Sequence, residues 1–141
     1  MNFALIFAGG TGTRMHTKTK PKQFLELNGK PIIIHTIEHF ESHPDIDGII
    51  VVCVNSWISY LNELLEKFHI KKVKKVIPGG ETGQESIFLG LCCIENLKKI
   101  SERDLVLVHD GVRPLIDSEL ISQNIACAKK YGNAITISTM I

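Results

Sequence analysis

A chain of 141 residues, 44% hydrophobic and 22% charged, suits one domain over residues 1–141 and is long enough to bury a sizeable core. A net charge of +1 gives no electrostatic reason to expect nucleic acid or a membrane surface as partner, and no apolar stretch reaches the ~18 residues of a membrane span. The four cysteines (Cys53, Cys92, Cys93, Cys127) form no C-x-x-C pair and sit in apolar stretches, so buried, reduced thiols and a cytoplasmic setting are expected.

In chain order, residues 2–8 are a near-continuous apolar run. No basic region precedes it and a glycine loop follows it, so it reads as a strand buried on both faces and not as a signal peptide. Asn28-Gly29 marks a turn, and Pro31 opens a helix over about 31–42. Residues 49–54 form a second buried strand. Ser56 is placed to N-cap the next helix, in which Trp57, Leu61, Leu64, Leu65 and Phe68 recur at helical spacing. Lys71-Lys72-Val73-Lys74-Lys75 reads as a solvated edge leading into a third strand, 73–77. Thr82 and Glu85 then form a capping box for a helix running to about residue 99. Residues 105–109 form a fourth strand, Asp117 caps a helix to about residue 131, and 134–138 begin a fifth strand. Strands alternating with helices predict an α/β fold with a doubly wound, mostly parallel sheet.

In such a sheet ligands bind beyond the carboxyl ends of the strands. Three ends carry unusual residues here: Ala8-Gly9-Gly10-Thr11-Gly12-Thr13-Arg14, Pro78-Gly79-Gly80-Glu81, and His109-Asp110-Gly111-Val112-Arg113-Pro114. Glycines let backbone N–H groups approach phosphate oxygens, but the first loop is neither a dinucleotide fingerprint nor a Walker A loop: Met15 replaces the third glycine and no Gly-Lys-Ser/Thr follows. Arg14 and Lys22 supply a bidentate and a mobile positive charge for phosphate. Asp110, directly after a buried strand, is a natural Mg²⁺ ligand beside a triphosphate. A competing motif is His35-Thr36-Ile37-Glu38-His39, which spells the H-x-x-E-H of some zinc hydrolases. On a helix that packs against a sheet, the simpler expectation is solvent-side histidines.

The ordered set Ala8–Met15, Pro21-Lys22-Gln23-Phe24, Gly79-Gly80-Glu81, Ser86-Ile87 with Gly90-Leu91, and Val108–Pro114 resembles the cytidylyltransferases of the 2-C-methyl-D-erythritol 4-phosphate and D-ribitol 5-phosphate type. The resemblance implies a Rossmann-like nucleotidyltransferase fold, CTP and Mg²⁺, transfer of CMP to a polyol phosphate with release of pyrophosphate, and a homodimer. By the same resemblance, Arg14 and Lys22 are the catalytic pair, and Ala8, Gly9, Gly10, Thr11 and Gly12 hold the nucleotide. Gly80, Glu81 and Ser86 contact cytosine and ribose, and Gly111 lies by the ribose. Asp110 is the metal ligand and Arg113 belongs to the polyol-phosphate side. Gly83-Gln84 stands where the family often has an arginine, and Gly111 where it has alanine. The eight-residue step from Arg14 to Lys22 leans toward the ribitol-phosphate branch. Family members continue past this length, so the chain reads as the nucleotide-binding front of such an enzyme.

Overall fold

The structure is a computed structural model and describes residues 1–8 and 20–138. In chain order it contains β1 (Asn2–Ala8), β2 (Glu26–Leu27), β3 (Lys30–Pro31), α1 (Ile32–Glu41), β4 (Gly48–Cys53), α2 (Ile58–Lys67), β5 (Val73–Pro78), α3 (Gly83–Leu97), β6 (Leu105–Asp110) and α4 (Ser118–Tyr131). The sheet order is β5-β4-β1-β6, with every pairing parallel, as the α/β reading predicts.

Side-chain alternation along β1 explains why its sequence is apolar throughout. Ala4, Ile6 and Ala8 face a core built with α1, α2 and α4, whereas Phe3 and Leu5 face Ile94 of α3. Each fully buried leucine or isoleucine stabilises this arrangement by about 1.5–3 kcal/mol. Helix α1 turns Ile33, Ile34, Ile37 and Phe40 inward, and all are at most 1% exposed. The edge strand β5 keeps Lys74 and Lys75 exposed, which discourages pairing with another chain. Its start is fixed by the Glu41 carboxylate, which accepts the Lys71 and Lys72 N–H groups at 2.6 and 2.8 Å.

Local signals hold with three amendments. Thr82 accepts the Glu85 N–H at 3.1 Å, but Glu85 reaches back to the N–H of Glu81 and not to that of the cap residue. Asp117 accepts the Leu120 N–H at 2.7 Å, and α4 ends on Gly132 at φ 91°, the left-handed region where glycine carries no Cβ penalty. Ser56 is not a cap: it lies inside a 3₁₀ turn, Asn55–Trp57, and α2 begins after Trp57 without a side-chain cap. Asn28-Gly29 does more than turn the chain. With φ of 55° and 77° these residues close the β2–β3 hairpin in the manner of a type I′ turn.

The fifth strand is a correction. Residues 134–138 carry strand-like alternation, yet Ile135 and Ile137 are 84% and 85% exposed and no strand beside them is present among the described residues. An extended segment becomes a strand only when a neighbour takes its backbone hydrogen bonds. This one is tied instead to α4, where Asn124 and Thr136 exchange side-chain hydrogen bonds of 2.9 and 3.1 Å. A cavity of about 660 Å³ lies between it and the outer edge of β6. The thiols are free, but only Cys53 is fully buried, and burial pushes its pKa up to about 11.

One charged cluster ties the Met1 amine to the turn that leads into β6. Asp104 accepts from Lys98 at 2.7 Å, from the Met1 amine at 2.7 Å, and from the Ser101 N–H at 2.8 Å. These bonds, that from Lys98 foremost, hold its carboxyl well below the usual carboxylate range. A depressed folded-state pKa contributes stability that is present above the unfolded value near 4 and is lost as pH falls through the folded value. Asp104→Asn is therefore expected to be less stable than the wild type at pH 7, with the difference shrinking below about pH 4. Urea midpoints at pH 7, 4 and 3 check this, and a constant difference across the series would contradict it.

Candidate nucleotide site

Parallel strands deliver their carboxyl ends to one edge of the sheet. Ala8 lies in register with Cys53, Cys53 with Pro78, and Phe7 with Asp110. The glycine loop, the Gly79-Gly80 turn and the Asp110 turn therefore all begin along that edge. Gly9, Gly10, Thr11, Gly12 and Arg14 lie outside the described residues.

Lys22 reaches this edge through its neighbours. The chain from Pro21 to Leu25 folds into a single 3₁₀ turn, with Phe24 N–H on Pro21 O at 3.0 Å and Leu25 N–H on Lys22 O at 3.1 Å. Phe24 is fully buried and stacks on Trp57, with Tyr60 at its edge, at ring distances of 5.1 and 5.3 Å. Gln23 is also buried, and its Nε2 donates to Ala8 O at 2.7 Å. That bond joins the last residue of β1 to the residue after Lys22 and so closes the base of the glycine loop. With both neighbours fixed inward, Lys22 stays exposed at the strand end. Lys20 is committed elsewhere, with its ammonium 5.6 Å from the centre of the Tyr60 ring. The sequence singled out the lysine and not the glutamine that sets it. Gln23→Leu, which leaves Ala8 O without this donor, is expected to lower unfolding free energy by about 1–3 kcal/mol in a urea titration.

At the third strand end, Gly79 N–H donates to Cys53 O at 2.9 Å, continuing the ladder past β5. Gly80 N–H donates to Ser86 Oγ at 3.1 Å. Ser86 is 2% exposed, so its hydroxyl braces the Gly79-Gly80 turn from the first turn of α3. Glu81 is exposed, and its N–H is taken by the Glu85 carboxylate at 2.9 Å. A Cβ on Gly80 would run into Glu85, so the turn and its brace are packed against each other.

The Asp110 turn is held by hydrogen bonds of its own. Gly111 N–H donates to Phe7 O at 2.9 Å, and Arg113 N–H to Asp110 O at 3.1 Å. Asp110 Oδ1 accepts the Val112 N–H at 3.1 Å, and Oδ2 lies 3.8 Å from Arg113 Nε. Arg113 is 76% exposed, so this ion pair is loose and contributes at most about 1 kcal/mol. Gly111 backs onto β1, where an added Cβ would sit 3.0 Å from that of Ala8. Asp110 is a partly exposed carboxylate whose ion pair with Arg113 is loose, which suits Mg²⁺, an ion that typically takes one or two carboxylates and completes its shell with water and phosphate. No group of three or more metal-ligating side chains is found among the described residues, so an all-protein cage is not built there.

The H-x-x-E-H histidines are neither a zinc pair nor simply solvent-facing. His35 Nε2 bonds Leu27 O of the hairpin at 2.6 Å, and His39 Nε2 bonds Pro114 O at 3.0 Å. Glu38 pairs with Lys30 at 2.6 Å. A carbonyl only accepts, so each of these nitrogens carries a proton, and among the described residues no group of three metal-ligating side chains forms around the pair. Each ring ties α1 to a different loop.

A family model for 2-C-methyl-D-erythritol 4-phosphate cytidylyltransferase (IspD) matches residues 2–140. The chain belongs to this family. Among curated relatives of the IspD family, a ribitol-5-phosphate cytidylyltransferase of Vibrio parahaemolyticus is 63% identical over 136 residues, which are 96% of this chain and 56% of the relative. A 2-C-methyl-D-erythritol 4-phosphate cytidylyltransferase of Clostridium acetobutylicum is 41% identical over 135 residues, 95% of this chain and 56% of that protein. The fold is similar to a crystal structure of 4-diphosphocytidyl-2C-methyl-D-erythritol synthase, with a TM-score of 0.73 at 27% identity, covering 92% of this chain and 54% of that one. The enzyme of Francisella tularensis is similar too, with a TM-score of 0.69 at 29% identity over 91% of this chain and 52% of that one. The chain thus spans about half the length of the IspD relatives it matches.

Proposed function

We propose that the protein is a CTP-dependent cytidylyltransferase that transfers CMP to D-ribitol 5-phosphate and releases pyrophosphate. The observation that carries the reaction class is the meeting of β1, β5 and β6 along one sheet edge, with Lys22 and Asp110 at its strand ends, in a chain of the IspD family. The acceptor follows from the closeness to the Vibrio protein, named for ribitol 5-phosphate, over the Clostridium protein, named for methylerythritol phosphate. No helix among the described residues is long and apolar enough to cross a membrane. The cytoplasmic setting, motivated by the free thiols, and the homodimer, which the resemblance implies, belong to the same proposal.

In this reading a phosphate oxygen of the polyol phosphate attacks the α-phosphorus of CTP. The bond to the bridging oxygen breaks on the opposite side, and pyrophosphate leaves. No covalent intermediate forms, so the protein contributes positioning and charge. Lys22 and Arg14 neutralise charge growing on the α-phosphate. The backbone N–H groups of the glycine loop hold the triphosphate, and the Gly80 turn with Glu81 and Ser86 receives cytosine and ribose. Gly111 leaves room beside the ribose. Asp110 would hold Mg²⁺, which draws charge from the phosphate oxygens when bound. Arg113, exposed and loosely paired, is free to turn to the acceptor phosphate.

Calorimetric titration with CTP and Mg²⁺, run beside pyrophosphate release with ribitol 5-phosphate and with methylerythritol phosphate, tests this. Binding with release on ribitol 5-phosphate is the expected result. Binding without release would leave a CTP-binding module, a reading motivated by the coverage of about half of the relatives. Absence of CTP binding would overturn the whole assignment.

A further inference from the structure

We infer that Thr36 is a positioning residue that aims the Asp110 carboxylate through the peptide between Gly111 and Val112. Thr36 is fully buried on the apolar face of α1, at a place where Ile33, Ile37 and Phe40 show that an aliphatic side chain would be expected. Its hydroxyl donates to Gly111 O at 2.9 Å, with a longer contact of 3.4 Å to Ile32 O in its own helix. The peptide that carries this carbonyl also carries the Val112 N–H, which donates to Asp110 Oδ1 at 3.1 Å. A peptide unit is planar and stiff, so fixing its oxygen fixes the direction of its N–H. The hydroxyl thereby governs the one backbone donor that orients the carboxylate.

The rest of the loop is held from the same side. His39, one turn further along α1, donates to Pro114 O at 3.0 Å, and His109 donates to Arg113 O at 2.9 Å with its ring 5.4 Å from that of Phe40. Three carbonyls of an irregular loop, at residues 111, 113 and 114, thus receive side-chain donors, and Asp110 is left facing the strand end. A buried hydroxyl spent on a loop carbonyl in place of core packing is what a held carboxylate requires.

This inference rests on the reading of Asp110 as the Mg²⁺ ligand, and the experiment separates the two. Calorimetry on the whole chain gives the CTP dissociation constant with Mg²⁺ and with EDTA, and their ratio is the metal-dependent gain. Thr36→Val keeps the shape and removes the donor. It is expected to cut that gain by about tenfold, as loss of a partner that orients a metal ligand typically does, while metal-free affinity stays within about twofold. Thr36→Ser restores the donor and the gain. Should Thr36→Val fail to fold, His39→Leu carries the test with a smaller loss of the same gain. An unchanged ratio, or equal weakening with and without Mg²⁺, overturns the inference. A wild-type chain that binds CTP without any Mg²⁺ gain overturns the metal role of Asp110 and this inference with it, but leaves the nucleotide reading intact. A wild type that does not bind CTP overturns both.

Discussion

Lys22→Ala is expected to lower the rate of pyrophosphate release on the order of 10²–10³-fold, as removing one preorganised charge donor at a developing negative charge typically does. The unfolding midpoint should stay within the ~0.5 kcal/mol usual for surface substitutions, because Lys22 is exposed while its neighbours Gln23 and Phe24 hold the turn. That separation makes the measurement decisive. Gln23→Leu disturbs the clip between the turn and β1 and lowers stability, whereas Lys22→Ala should leave the clip whole and remove only the charge. Steady-state kinetics beside a urea titration distinguish the two. Turnover within a fewfold of wild type for Lys22→Ala would remove this lysine from the chemistry and with it the main electrostatic argument for the site.

How much of this was legible depends on what a signal had to encode. The two central strands of the main sheet were legible within a residue or so because strands buried on both faces must be apolar throughout, as residues 2–8 and 48–53 are. Thr82 and Asp117 were legible as caps because capping is local chemistry. The fifth strand was misread because alternation encodes only the faces of a segment, and Ile135 and Ile137 need a strand beside them that the described residues do not provide. Ser56 failed because a good cap residue was taken into a 3₁₀ turn. In the site, Lys22, Gly80 and Asp110 stood out as charge and glycine at strand ends. Gln23, Thr36 and His39 did not, because each acts on a backbone carbonyl 15 or 75 residues away in the chain. Thr36 left a trace, a hydroxyl in the apolar stripe of α1, but its partner could be known only from the fold. The histidine pair was ambiguous for the complementary reason: i, i+4 spacing on a helix is shared by zinc ligands and by residues that clip two different loops, and the expected solvent-side placement missed the carbonyls they bind.

Gly90→Ala sets two effects of opposite sign against each other. In the middle of α3, alanine in place of glycine gains about 1 kcal/mol of helix stability. But Gly90 is the point at which α3 rests on β1. A Cβ there would overlap the Leu5 Cδ1 methyl and lie 2.9 Å from Cδ2. Leu5 cannot yield cheaply: it is fully buried in the cluster formed with Phe3, Ile50, Val52 and Ile94, so moving it displaces α3 or a central strand. Overpacking of this kind costs about 1–3 kcal/mol, and the direct collision with a core leucine puts it at the upper end, so the loss outweighs the propensity gain. The urea midpoint is expected to fall with an unchanged m-value. Gly83→Ala, at the first residue of the same helix with nothing within 4 Å of the new carbon, is expected to gain about 0.4–1 kcal/mol. Adding Leu5→Ala to Gly90→Ala should cost less than the two single losses together, because the smaller side chain vacates the space that the new methyl needs. Additive losses would mean that α3 does not meet β1 through this glycine.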